Sequence, residues 1–504
     1  MATSNAVLEN VSDLATPVLH ILVIGFHHQK GSTIEFSHPS LLLTSQVQES
    51  LTTSITQSPW RNLPHLALPD GCHNFEEESV FFTLPDLDHP GQSVFGVACC
   101  RQIEANKLKK MDDEITRSTV QKSICVISRY PVFEFIEAKL SLVTHAFFNA
   151  KDFSNMQILR ETYNDINSSL SSSSQIVSSL YLDITLGDVI TQFQHRLLQM
   201  FKALLVGKRV VLFAPTSIKA SKSVLSILSL FPKSLESYTG IEVDDLLSLN
   251  MFSVSQSFQP YLCLQQMEEL KRPSSCVLAG VVNPLFEKQQ SKICDVFADV
   301  STGIVAVHDH SLKPCLHLST ADLRFCSILS ETICEREANQ SDWLGSNDWI
   351  RVQFKHYLIS LLKTSLEGDD AAKDEFNSDF MRVWCESPVY KSWLQKIGKD
   401  RTITTEEPKA EVKDVMTKDI LSQTLPMHMC TGELSISDLK RRFLAQASDY
   451  GLNVGSREEV VQQTQEVIAV TTERVTEAVS RAWTSASNAV YKWWGGSQEE
   501  DNDN

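Results

Sequence analysis

The chain has 504 residues, 42% of them hydrophobic and 21% charged, with Lys+Arg 45 against Asp+Glu 62 and a net charge of -17. A chain of this length and ordinary hydrophobic content can bury several cores, about three at a soft figure of roughly 150 residues per domain. The acidic balance provides no general basic field for phosphate backbones and excludes nucleic acid as a main partner.

Residues 1–14 have no basic stretch ahead of the first apolar run, so a flexible start without a secretory signal is expected. The run Val18–Gly25 is short, β-branched and closed by glycine, and predicts a buried central strand. Further strands are predicted at Ser79–Leu84, Ser93–Ala98 and Lys122–Ile127, separated by turns such as Leu68-Pro-Asp-Gly71 and Asp88-His-Pro-Gly91. From Val132 the period changes: Phe133, Ile136, Leu140, Val143 and Phe147 form one stripe of a helix. Strands closing on a helix make residues 15–160 an α/β unit. Lys30 and Arg61 face ten acids in residues 1–100, a charge of -8, which suits solubility or the steering of a basic partner.

Residues 161–184 contain the serine-rich run Ile166–Ser179 and are expected to be a flexible connection. Beyond it, Leu186–Leu205 has helical spacing through Val189, Phe193, Leu197, Phe201 and Leu204, and runs into a strand at Lys208–Ala214. Ser221–Leu230 is again helical, and strands are predicted at Tyr261–Leu264, Cys276–Gly280 and Thr302–His308. Residues 185–335 therefore form a second α/β unit. An amphipathic helix at Asp348–Leu366 opens a helical unit over 336–396, and 397–454 reads as a linker with a short helix. The longest apolar stretch, Ala203–Pro215, is interrupted by Lys208 and Arg209 and falls short of the ~20 apolar residues of a spanning helix.

The C-terminus carries an eleven-residue repeat. Segments beginning at Glu466, Glu477 and Asn488 each place two apolar residues after a polar one. Since eleven residues nearly complete three helical turns, one stripe persists over an amphipathic helix at 455–494, ahead of an acidic, disordered tail at 495–504. The stripe comprises Val467, Ile468, Val475, Ala478, Val479, Ala482, Trp483, Ala486, Val490, Trp493 and Trp494. Three partners fit it: a membrane surface, the protein's own globular body, or a coiled-coil mate. The bases 457, 474, 481 and 492 are balanced by acids 458, 459, 466, 473 and 477. Apolar insertion would therefore outweigh attraction to anionic lipid.

Motifs for covalent chemistry are missing. Gly207-Lys208 is followed by Arg209 rather than Ser or Thr, so it is not a P-loop, and there is no nucleophile elbow, zinc-protease helix or dinucleotide fingerprint. His308-Asp-His310 could offer a metal two imidazoles or simply form a surface turn, and His27-His28 reads as structural. The twelve cysteines have no Cys-x-x-Cys spacing, several sit in apolar runs, and reduced thiols are expected.

The blocks Leu19–His28, Ile34–Pro39, Leu66–Phe75, Val94–Ala98, Arg101–Glu104 and Ile115–Ser123 resemble the opening module of the Avl late-secretory-pathway proteins, a branch of the DENN superfamily. The resemblance continues in order through Leu228–Pro232, Thr320–Phe325, Asp348–Phe354 and Ser435–Phe443. It implies a tripartite DENN fold: a longin-like α/β module, a larger central α/β module and a helical module. It also implies binding of a Rab-type small GTPase, either promoting GDP release or acting as an effector or scaffold without exchange. The protein would be cytoplasmic and peripheral on Golgi, endosomal or secretory-vesicle membranes, with no cofactor, metal or small-molecule substrate. Family members often carry a long insertion after the Leu-Ser-Leu-Phe-Pro stretch, whereas Lys233–Pro260 here is short. No individual GTPase contact is implied.

Overall fold

The longest buried run near the N-terminus, Val18–His27, forms the strand β1 of a computed structural model that describes residues 16–27, 29–41, 58–109, 118–240, 247–271, 276–339, 342–398 and 420–449. The expected flexible start at 1–14, residues 399–419 and 450–454 of the 397–454 linker, the 455–494 helix and the tail lie outside the described residues. The chain divides into one compact unit up to Asp438 and a second from Leu439 on, of which 439–449 are described.

Strands β1, β2 (Gly31–His38), β3 (Glu77–Pro85), β4 (Ser93–Glu104) and β5 (Thr119–Ser128) form an antiparallel sheet in the order β2-β1-β5-β4-β3. The central strands are buried on both faces, which is why they read as continuous apolar runs rather than alternating ones. One face is covered by helix α1 (Phe133–Asn149), whose Phe133 stacks on Phe81 and meets Phe95 edge-on. The opposite face packs Trp60, Leu63, Leu66 and Leu68 with Tyr261 and Cys263.

The serine-rich stretch is not a flexible connection: helices α2 (Gln157–Ser169) and α3 (Ser173–Ser179) occupy it. Ser172 and Gln175 make a reciprocal capping box, and Ile166, Leu170, Ile176 and Leu180 are buried. Ser172 caps and most of the other serines face outward, Ser179 being buried, while sparse apolar residues hold the segment. The expected single helix over 186–205 is two, α4 (Leu186–Phe193) and α5 (His195–Leu205), because Gln194 adopts a positive φ of 51° and breaks the ladder.

The second sheet has the order β10-β9-β6-β8-β7, built from β6 (Val210–Phe213), β7 (Phe258–Gln259), β8 (Leu278–Val281), β9 (Val296–Asp299) and β10 (Val305–Val307). All pairs are parallel except β9 with β10. The strand expected at Tyr261–Leu264 does not form. Pro260 ends β7 by removing a ladder donor, and the chain turns into a 3-10 segment at Leu264–Gln266.

Helix α6 (Ser217–Ser229) joins the two sheets, packing on β3 of the first and β8 of the second. Small residues on it permit the close approach. Ser217 donates its hydroxyl to Glu78 Oε1 at 2.6 Å, and the Ser221 hydroxyl accepts from Phe81 N at 3.1 Å. Beside it, Thr83 donates to Phe258 O and accepts at its carbonyl from Gln259 Nε2 at 3.1 Å, stapling β3 to β7. The remaining long helices are α7 (Thr320–Asn339), α8 (Asn347–Glu367), α9 (Ser378–Glu386), α10 (Pro388–Gly398) and α11 (Ile436–Asp449). None of the twelve cysteines is disulfide-bonded, and burial pushes Cys99, Cys263 and Cys276 up to about 12. Among the described residues no helix is long and apolar enough to cross a membrane.

Candidate functional site

A buried ionic centre lies where α5, α7, α8 and α9 meet. Lys202 and Asp322 are both fully buried and paired. The ammonium also donates to Phe376 O at 3.0 Å and sits 4.6 Å from the centre of the Phe380 ring. Asp322 accepts from the Tyr357 hydroxyl at 2.8 Å and from Ser319 N at 3.0 Å. Burial alone would raise its pKa, but Lys202 and His428 outweigh that and hold the carboxyl well below the usual range.

The His428 ring enters this centre from a strap that follows the 3-10 turn Ile420–Gln423. Its Nδ1 accepts from Cys430 N at 3.0 Å, which leaves the proton on Nε2, 3.4 Å from Asp322 Oδ1. The ring lies 4.5 Å from Phe376 and edge-on to Tyr357 at 5.3 Å. Glu375 accepts from His428 N at 3.0 Å and from the Thr431 hydroxyl. Along the strap His428 and Cys430 face inward while Leu425, Met427 and Met429 face out.

Arg324, on α7, clamps the far end of the strap. Its guanidinium donates to the carbonyls of Cys430, Gly432 and Glu433, and forks onto both carboxylate oxygens of Asp438 at 2.9 and 2.7 Å. Asp438 stands in the first turn of α11 and accepts from Ser435 N and Oγ at 2.8 and 2.7 Å, so one carboxylate both caps a helix and anchors it. The hydrogen bonds from Arg324 hold its pKa far below the ordinary carboxylate range, against the effect of burial.

Beyond the clamp the side chains are unusually apolar for a surface: Leu434, Ile436, Leu439 and Phe443 are 73%, 78%, 58% and 50% exposed. The basic triplet Lys440-Arg-Arg442 lies among them.

The sequence-predicted contact residues, from Val467 to Trp494, all lie outside the described residues. In the His308–His310 segment, His308 Nε2 meets Gln290 at 3.1 Å and Asp309 pairs with Lys208 at 3.1 Å. Among the described residues no group of three or more His, Cys, Asp or Glu is placed to hold a metal. His27 accepts from the backbone of Gln29 and Lys30, a turn, and His28 lies outside the described residues. The strap and clamp escape prediction, although both halves of the clamp, Thr320–Phe325 and Ser435–Phe443, stand out in the sequence.

A family model described as "Transport protein Avl9" matches residues 18–244 and 243–365, covering both sheets and α7, and ending within α8. A relative named "Late secretory pathway protein avl9", from Schizosaccharomyces pombe, is 29% identical over 462 residues, covering 82% of this chain and 91% of that protein. Another, "Late secretory pathway protein AVL9" from Saccharomyces cerevisiae, is 28% identical over 492 residues, covering 85% of this chain. The chain spans 62% of that protein's length.

Proposed function

Because this chain belongs to the Avl9 transport protein family, we propose that it acts in the late secretory pathway by binding a Rab-type small GTPase and promoting release of its GDP. The observation that supports this most is the family match, which in two adjoining segments takes in both sheets and α7 and ends within α8. In this reading the antiparallel sheet is the longin-like module, the second sheet the central module and α8 to α10 the helical module of a tripartite DENN fold. Exchange makes no bond between protein and substrate. It requires only that the nucleotide-free GTPase be bound more tightly than the nucleotide-loaded one, and by linkage the same preference lowers nucleotide affinity. Peripheral membrane contact through 455–494 would hold the protein at its GTPase's compartment.

The test is binding of the full chain to a panel of purified Rab GTPases in nucleotide-free, GDP and GTP forms. Preference for a nucleotide-free form supports exchange. Selective capture of a GTP form assigns an effector or scaffold role, and binding to none overturns the GTPase reading.

A further inference from the structure

Strand β2 lies at one edge of the antiparallel sheet and β3 at the other, and the two edges are finished differently. On β3 side chains take the outward backbone groups at every second residue. Ser79 O accepts from Ser217 Oγ at 3.1 Å, Phe81 N donates to Ser221 Oγ at 3.1 Å, and Gln259 bonds both N and O of Thr83. On β2, among the described residues, the backbone of 32–37 is hydrogen-bonded to β1 alone. An unpaired edge is a template for another strand, and folds guard theirs with prolines, bulges or charges set over the edge. Residues 31–38 contain no proline, and their one acid, Glu35, is drawn inward. Its carboxylate lies over Gly25, where a Cβ would overlap it, and pairs with Lys122 on β5. Glu35 is also the extra residue of a bulge opposite Val23 and Ile24, which leaves 31–34 as the regular run. The strand is held from both faces: Ile34 is buried in the core with Trp60 and Leu63, Phe36 lies under the Arg160 guanidinium at 5.4 Å, and His38 meets Tyr163 edge-on at 5.1 Å.

We infer that β2 is a docking edge for an extended, acidic segment of a partner protein, which adds to the sheet beside residues 31–34. Main-chain hydrogen bonds supply the affinity of such an addition, and side chains supply its selectivity. The inference goes beyond the GTPase reading and does not rest on it. Charge complementarity selects the occupant. Lys30 in the β1–β2 turn and Arg160 on α2 stand at opposite ends of β2 and are exposed, and among the described residues neither is paired with a carboxylate. The Glu35 carboxylate between them is matched by Lys122. In a chain of net charge -17 these two cations give the edge a local sign of its own. A second copy is a poorer match. Antiparallel pairing of β2 with itself about a two-fold axis sets the Lys30 end of one copy against the Arg160 end of the other and meets the bulge twice.

The experiment follows the fluorescence anisotropy of a labelled synthetic peptide, alternating Thr and Val with two Glu at each end, titrated with the full chain. One companion peptide replaces Glu by Lys, and another carries N-methyl groups on every central amide. The wild type is expected to bind the Glu peptide, to bind the Lys peptide about tenfold less tightly, and not to bind the N-methylated one. Hydrogen–deuterium exchange should show added protection within 32–37 on binding and none within 79–83. Lys30→Glu with Arg160→Glu should reverse the preference between the Glu and Lys peptides at an unchanged melting temperature, because both groups are exposed. No binding of the Glu peptide overturns the inference, as do undiminished binding of the N-methylated peptide and protection confined to residues outside β2. A dimer with 32–37 protected before any peptide is added also overturns it and assigns the edge to a second copy. If the double variant fails to fold, the N-methylated peptide and the exchange pattern of the wild type still decide. GDP release is measured without peptide, so failure of the GTPase reading is seen separately.

Discussion

Arg324 and Asp438 stand 114 residues apart in the chain and meet as a fork on a carboxylate, Nε to Oδ1 at 2.9 Å and Nη2 to Oδ2 at 2.7 Å. Through this pair α7 fixes where the strap ends and α11 begins. Charge-assisted bidentate bonds of this kind carry both geometry and energy.

Arg324→Ala should free the strap, leaving Asp438 and three backbone carbonyls without their donor. The expected loss is about 2–4 kcal/mol of unfolding free energy, with new protease cleavage between 424 and 438. Thermal melting with limited proteolysis checks this. Unchanged cleavage would mean that the His428 end alone holds the strap.

Lys202→Met should cost about 3–5 kcal/mol by leaving Asp322 charged, buried and without its ammonium, and Lys202→Met with Asp322→Leu should recover much of that loss. The folded-state pKa of Asp322 is depressed, so its contribution is present above the unfolded value of about 3.9 and is lost as pH falls through the folded one. Denaturant titrations from pH 7 downward should show wild-type stability falling below about pH 4, and the double variant should fall less steeply.

Glu134 behaves in the opposite sense. Burial raises its pKa from 4.5 to about 7, and Lys222, at 3.2 Å, only partly opposes the shift. A raised folded-state value contributes stability that is complete below 4.5 and lost as pH rises through about 7. Glu134→Gln should therefore match the wild type near pH 4 and exceed it by roughly 2 kcal/mol at pH 8. A difference independent of pH would contradict the assignment.

Gly280 lies in β8 where a Cβ would stand 2.2 Å from Pro260 O and 3.1 Å from the Cβ of Ala220 on α6. Gly280→Ala should force sheet and helix apart at a cost of about 1–3 kcal/mol, read as a lower midpoint in urea at unchanged slope. A wild-type midpoint would show that the joint is looser than its geometry.

The strands of both sheets were legible where burial on two faces writes a continuous apolar run, as in Val18–Gly25, and α1 where one stripe repeats. The break at Gln194 was not, because Val189, Phe193, Leu197 and Phe201 keep helical spacing across it. Serines misled over 161–184, since capping and outward-facing serines look the same in sequence as those of a flexible connection. Asp322, Arg324 and Asp438 look like ordinary surface charges, and only the tertiary fold shows both carboxylates buried, Arg324 paired with Asp438 and Asp322 with Lys202. The expected membrane-contact residues from Val467 to Trp494 lie outside the described residues.

Exchange is tested most directly by measuring GDP release from each member of a Rab panel with and without the full chain. Faster release, saturating with protein concentration, is expected for at least one GTPase, with no effect on the rest. Unchanged release across the panel, together with preferential binding of a GTP-loaded form, would contradict exchange and make this family member an effector or scaffold.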